Sequence, residues 1–167
     1  MSQFKKLVTS SEQVFIAGVA WSQKRDVNVY HGVFYGYEHG KFFFNYECQG
    51  LLGEFHSSWD LPAYLYSVVS FFEDCYKVID NSKKPVIYVP NAKLAKLFNK
   101  PSIFKKYRLS PYAKNHLVLW NSLLKTEFKS FNNEKFPFSQ ISLRATEIKS
   151  LTEYRMINGE KFDFKSY

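Results

Sequence analysis

Two cysteines, Cys48 and Cys75, are all that the 167 residues contain. No motif joins them and neither lies at metal-ligand spacing, which excludes a disulfide scaffold and a zinc ribbon. Buried free thiols in a reduced, cytoplasmic setting are the expectation. The four histidines, His31, His39, His56 and His116, form no pair at helical metal-ligand spacing. Glycine is sparse, and Gly50-Leu-Leu-Gly53 lacks the lysine and the strand-to-helix context of a phosphate loop. No apolar run is long enough to cross a membrane. The start, MSQFKKLVTSSEQ, has two lysines but no apolar stretch after them, so it does not read as a secretory signal. Ser10-Ser11 and Ser57-Ser58 have no identifiable base beside them, and caps and loops explain them better than nucleophilic chemistry.

The most telling absence is acidic. Between Asp80 and Glu127 there is no Asp or Glu, while Lys83, Lys84, Lys93, Lys96, Lys100, Lys105, Lys106, Arg108, Lys114 and Lys125 all fall inside that window. The window therefore carries +10 and the rest of the chain −2, against a net charge of +8. Charge this local suits a polyanion, either nucleic acid or an acidic protein surface. Phe98, Phe104, Tyr107, Tyr112 and Trp120 stand among the cations, able to stack on bases or to pack a core. Aromatic residues make up 19% of the chain. Lysine and asparagine are plentiful and alanine scarce, a bias of AT-rich coding sequence and so of a low-GC or viral source. Part of the aromatic content belongs to that bias.

The length suits one domain spanning 1–167, with 1–12 and 158–167 as extensions. Apolar, β-rich runs predict strands over 13–22, 28–37 and 41–48, joined by short turns into an antiparallel meander. The second turn, Glu38-His39-Gly40, places Gly where φ is positive. Leu61, Leu65, Val68, Phe72, Cys75 and Ile79 recur at helical spacing and predict a helix over about 59–80, capped by Ser58 with Pro62 in its first turn. Residues 85–89 read as a short buried strand, and 91–99 as a short helix. Residues 100–112 read as a basic loop. Leu117, Trp120, Leu124, Phe128 and Phe131 predict a helix over 113–131, then 136–144 a last strand. A tail helix follows, carrying Ile148, Leu151 and Tyr154. The order is an α/β pattern with a mixed sheet and helices on its faces.

That order, with Val86-Ile87-Tyr88-Val89 followed by the helix from Asn91 to Phe98, the basic stretch Lys100 to Lys114, Asn115-His-Leu-Val-Leu-Trp120 and Phe138-Ser-Gln-Ile-Ser-Leu143, resembles the ribonuclease H family. The resemblance covers about 13–157 and rests on element order and apolar spacing. It implies a mixed five-stranded sheet with helices on both faces, and it puts Lys100 to Lys114 in the place of the family's basic protrusion. It also implies four carboxylates around two Mg²⁺ ions, hard cations that take oxygen ligands and activate water against a phosphodiester. Here the first carboxylate position falls near Ala17 or Gly18. The second matches Asp60. The third falls at Pro90-Asn91, and the fourth is met only loosely by Glu147 or Glu153.

The reading that follows is a catalytically degenerate ribonuclease H-like domain, not an enzyme, with no cofactor. It grips a DNA, RNA or hybrid phosphate backbone through Lys93, Lys96, Lys100, Lys105, Lys106, Arg108 and Lys114. Two alternatives stand beside it. One is a Mg²⁺-dependent nuclease cleaving RNA–DNA hybrids, with Asp60 catalytic and carboxylates rearranged from Asp26, Glu38, Glu47 and Glu54. The other is an accessory or viral interaction module that docks an acidic protein. Tyr30, Phe34, Tyr37, Phe42, Phe44 and Tyr46 are candidates for a stacking platform on the sheet, though sheet packing accounts for them more simply.

Overall fold

The computed structural model describes residues 13–24, 27–52, 61–100, 109–130 and 138–167. Three long strands come first: β1 (Gln13–Lys24), β2 (Val27–Glu38) and β3 (Lys41–Leu51). Each pairs antiparallel with the next. His39 and Gly40, at φ 49° and 79°, make the two-residue turn from β2 to β3. Two consecutive left-handed residues match the twist of the hairpin, which is why glycine stands second. A register shift between Gly36 and Tyr37 adds a bulge near the start of β3.

Helix α1 (Leu61–Cys75) follows, and every residue from Leu61 to Phe72 is buried. An isolated helix this apolar on all sides is possible only inside a core. Its Phe71 ring stacks on Phe34 at 4.3 Å and meets Phe15 edge-on at 5.1 Å. Strand β4 (Val86–Val89), buried throughout, returns parallel to β1. Helix α2 (Ala92–Asn99) is capped by Asn91, whose side chain accepts from the Leu94 amide. Helix α3 (Pro111–Leu124) is capped by Ser110 with proline at its start. Strand β5 (Glu127–Ser130) then pairs parallel to β4, and helix α4 (Phe138–Ile157) closes the described order. The sheet order is β3-β2-β1-β4-β5.

Two apolar layers flank the sheet. One joins Phe15, Ala17, Tyr30 and Phe34 to α1, α2 and α3. The other joins Val14, Ile16, Val33, Val86 and Tyr88 to Ile141 and Ala145 of α4, with Ile148 packed against them. Strand alternation sorts neighbouring β1 residues between the layers.

Three predicted elements change. The helix over 113–131 ends at Leu124, because Lys125 takes a left-handed conformation at φ 53°. Phe128, which continued the helical spacing, instead points from β5 into the core, 5.1 Å from the Phe98 ring. Of the strand predicted over 136–144, the described residues 138–144 instead open α4. Its alternating apolar and polar residues imitate a strand, but Ile141, Ala145, Ile148 and Thr152 form the packed helical stripe. The helix over 59–80 is shorter at its end, and 76–78 form a turn. Among the described residues, no helix is long and apolar enough to cross a membrane.

Candidate nucleic-acid interface

Lys93, Lys96 and Lys100 stand three and four residues apart, so they share one face of α2 and its C-cap. All three are exposed, while Leu94, Ala95, Leu97 and Phe98 are buried on the opposite side. The local sequence dictates this division: the apolar residues fix the inward face, and the lysines take the outward one. The helix is firmly seated. Asn99 donates to the Phe128 carbonyl and accepts from its amide, both at 2.8 Å. Asn121 of α3 donates to the Phe98 carbonyl at 2.9 Å. Lys114 lies seven residues before Asn121, hence on the same side of α3, about 10 Å along its axis. Lys105, Lys106 and Arg108 lie outside the described residues, as does Asp60.

Lys129 is a cation that sequence reasoning passed over. It falls three residues beyond the acid-free window, inside the span predicted as a helix. On β5 it is exposed and follows Phe128, the residue whose backbone Asn99 clasps. Only recognising β5 as a strand, from the left-handed break at Lys125, would have exposed that signal.

The aromatic residues of the meander are packing. Tyr30 and Phe34 are fully buried, and Phe44 and Tyr46 rest on the α1 layer. Phe42 is exposed but its ring meets Tyr35 and Tyr37 edge-on.

Several of the described acidic residues are taken up in ion pairs at separate places. Glu38 ends β2 in an ion pair with Lys83. Glu47 on β3 accepts from Arg144 of α4 at 2.8 Å, and Glu147 lies 3.3 Å from the same guanidinium. The hydrogen bonds that Arg144 donates to both carboxylates raise its pKa above the usual value. Glu147 and Glu153 sit mid-helix rather than at the opening of α4. Asp26 and Glu54 lie outside the described residues. Among the described residues no three His, Cys, Asp or Glu are grouped to hold a metal ion.

Comparison with solved structures places this architecture. The chain matches an RNase H1 from a compost metagenome, LC11, at 10% identity and TM-score 0.55, over 84% of this chain and 99% of that one. It matches the N-terminal RNase H domain of a Mycobacterium tuberculosis protein at 8% identity and TM-score 0.51, over 84% and 98%. A foamy viral protease–reverse transcriptase, solved with an RNA/DNA hybrid, matches at 12% identity and TM-score 0.52, over 83% of this chain and 19% of that one. The fold is ribonuclease H-like. No protein-family model matches the chain, and no curated protein matches it.

The resemblance puts two of its carboxylate positions at Ala17 or Gly18 and at Pro90-Asn91. At Gly18, a Cβ atom would stand 2.7 Å from Ile141 Cγ2, so α4 fills the space a carboxylate there would need. Ala17, its neighbour, is buried in the opposite layer under α1. Beyond β4, Pro90 has no carboxylate and Asn91 spends its side chain on capping α2. The described residues at these positions do not fit Mg²⁺, which requires several oxygen ligands in near-octahedral array.

Proposed function

We propose that this chain binds nucleic acid on the α2 face of a catalytically degenerate ribonuclease H-like fold and does not cleave it. The observation that carries this reading is the lysine stripe Lys93, Lys96 and Lys100, on a seated helix inside a window with no acidic residue. Lys114 flanks it, and Lys105, Lys106 and Arg108 extend it along the sequence. Lysines grip phosphate as point charges and release counterions, so the grip is independent of base sequence. A duplex, a hybrid or a single strand satisfies such contacts. One structural neighbour was solved with an RNA/DNA hybrid, which makes hybrid the first substrate to try. Ile141 packed over Gly18, and Pro90 beyond β4, support loss of cleavage with no cofactor required.

The test is binding of the chain to hybrid, duplex and single-stranded probes at low salt. Replacing Lys93, Lys96 and Lys100 together by Gln should weaken all three complexes by at least tenfold. Unchanged affinity would remove the α2 face from the reading. A complex that survives nuclease treatment and is resolved only by an acidic protein would replace nucleic acid as the partner. Incubating hybrid with the chain and Mg²⁺ or Mn²⁺ should leave it intact. Cleavage abolished by Asp60→Asn would restore an enzyme.

A further inference from the structure

A second polar and aromatic cluster lies where α1 ends, α3 begins and the segment after α4 returns to the sheet. The returning segment is anchored by the Leu51 amide, which donates to the Lys165 carbonyl at 2.8 Å. Its Tyr167 ring is nearly parallel to Tyr112 of α3, at 17° and 5.7 Å, and Tyr112 in turn stacks on His116 at 23° and 3.9 Å. Beside these rings opens a cleft of about 550 Å³ lined by Glu73, Tyr112, Lys165, Ser166 and Tyr167. That volume suits a small molecule.

The charges of the cleft are held, not loose. Glu73 accepts from the Tyr112 hydroxyl at 3.1 Å and the Tyr167 hydroxyl at 3.3 Å, with His116 Nδ1 3.3 Å away. Tyr167 is itself tied through Ser70, at 2.8 Å, to the buried Tyr30 hydroxyl 3.0 Å further on. The chain of bonds from the core fixes the carboxylate, and ionised carboxylate oxygens together offer about four acceptor sites, so capacity remains. On the other side Lys165 pairs with Asp74 at 2.7 Å, yet its side chain is 43% exposed.

The complement of such a cleft is a planar ring that carries adjacent N–H donors on one edge and an anion at its other end. A peptide guanidinium would satisfy Glu73 but meet Lys165 as a like charge. Lys165 carries three N–H donors and Asp74 takes one of them, so a bare base would give the exposed ammonium no second anion. Guanine presents N1–H and N2–H₂ side by side to a carboxylate, whereas adenine turns its N1 lone pair toward it. We infer that this cleft is a guanine 5′-nucleotide site, with the base against Tyr112, its donor edge on Glu73 and its phosphate on Lys165. The site is separate from the α2 lysines and does not rest on the polynucleotide reading.

Titration of the purified chain with 5′-GMP, 5′-AMP and guanosine, followed by calorimetry or amide chemical shifts, tests it. GMP should bind saturably, at least tenfold tighter than AMP and than guanosine. Glu73→Gln should cost GMP at least tenfold and leave AMP unchanged. Lys165→Gln keeps the backbone bond to Leu51; it should bring GMP down to the guanosine level and leave guanosine unchanged. The triple Lys→Gln variant of α2 should bind GMP as the parent does. If Glu73→Gln melts at a lower temperature, Lys165→Gln still decides the outcome. No saturable GMP binding in the millimolar range, equal binding of GMP and AMP, or GMP affinity indifferent to both variants overturns the site.

Discussion

His31 is a histidine placed where its charge is unwelcome. It has no solvent exposure and lies on β2 opposite Gln49 of β3, with Ala20 of β1 on the other side. Burial first, and the Lys149 ammonium of α4 after it, bring its pKa down to about 4, with the Gln49 side chain working the other way. Its folded value therefore lies below the ordinary 6.5, and the unfolded chain binds the proton more readily. Stability from this group is complete above about pH 6.5 and is lost as pH falls to about 4. The loss should be on the order of 3 kcal/mol. Urea unfolding at a series of pH values checks this, because His31→Gln should flatten that segment of the profile. A parent curve already flat between those values would contradict it. Nothing in the sequence marks His31 as special, since one histidine among strand residues gives no sign of burial until β3 and α4 are placed around it.

The docking of α4 shows why some elements were legible and others not. The meander, α1 and β4 announce themselves, because long apolar runs and a clear turn at His39-Gly40 leave one way to bury them. α4 does not, because its first turns alternate apolar and polar residues and several of its large side chains, Leu143, Leu151 and Tyr154 among them, face outward. Only the partner sheet selects Ile141 and Ala145 as the buried stripe. β5 is equally obscure, with Phe128 its one buried residue. The same packing decides the metal question at Gly18. The sequence showed that an acid was missing there, but not that Ile141 fills the space. Gly18→Asp should thus fail to rebuild a site. The added side chain overlaps Ile141, 2.7 Å from its first atom, and buries an unpaired carboxylate. Overpacking and an unpaired buried charge together should cost about 2–5 kcal/mol. Denaturant midpoints measure the cost, and hybrid incubated with Mg²⁺ should remain uncut. Gain of cleavage with undiminished stability would show that α4 yields and that the site is only one residue from restoration.

Across the molecule the charge is divided between a window of +10 and a remainder of −2, and the face proposed for nucleic acid falls within the window. The structure adds direction to that count: α2 turns three of the lysines to one side because its other side is committed to the core. Direction has a measurable consequence. If these lysines neutralise phosphates, the affinity for duplex should fall linearly on a logarithmic salt scale. Each lysine in contact contributes about 0.9 to the slope, so removing Lys93, Lys96 and Lys100 by Gln should reduce it by about 2.7. An equal number of exposed lysines lost elsewhere, at Lys41, Lys77 and Lys161, should weaken binding only through the long-range field, which is screened beyond about 10 Å at 0.1 M salt. The contrast between the two triple variants separates a phosphate-gripping face from net charge alone. Equal slopes for both would mean that the chain attracts nucleic acid as a diffuse cation, and that α2 has no privileged place in the complex.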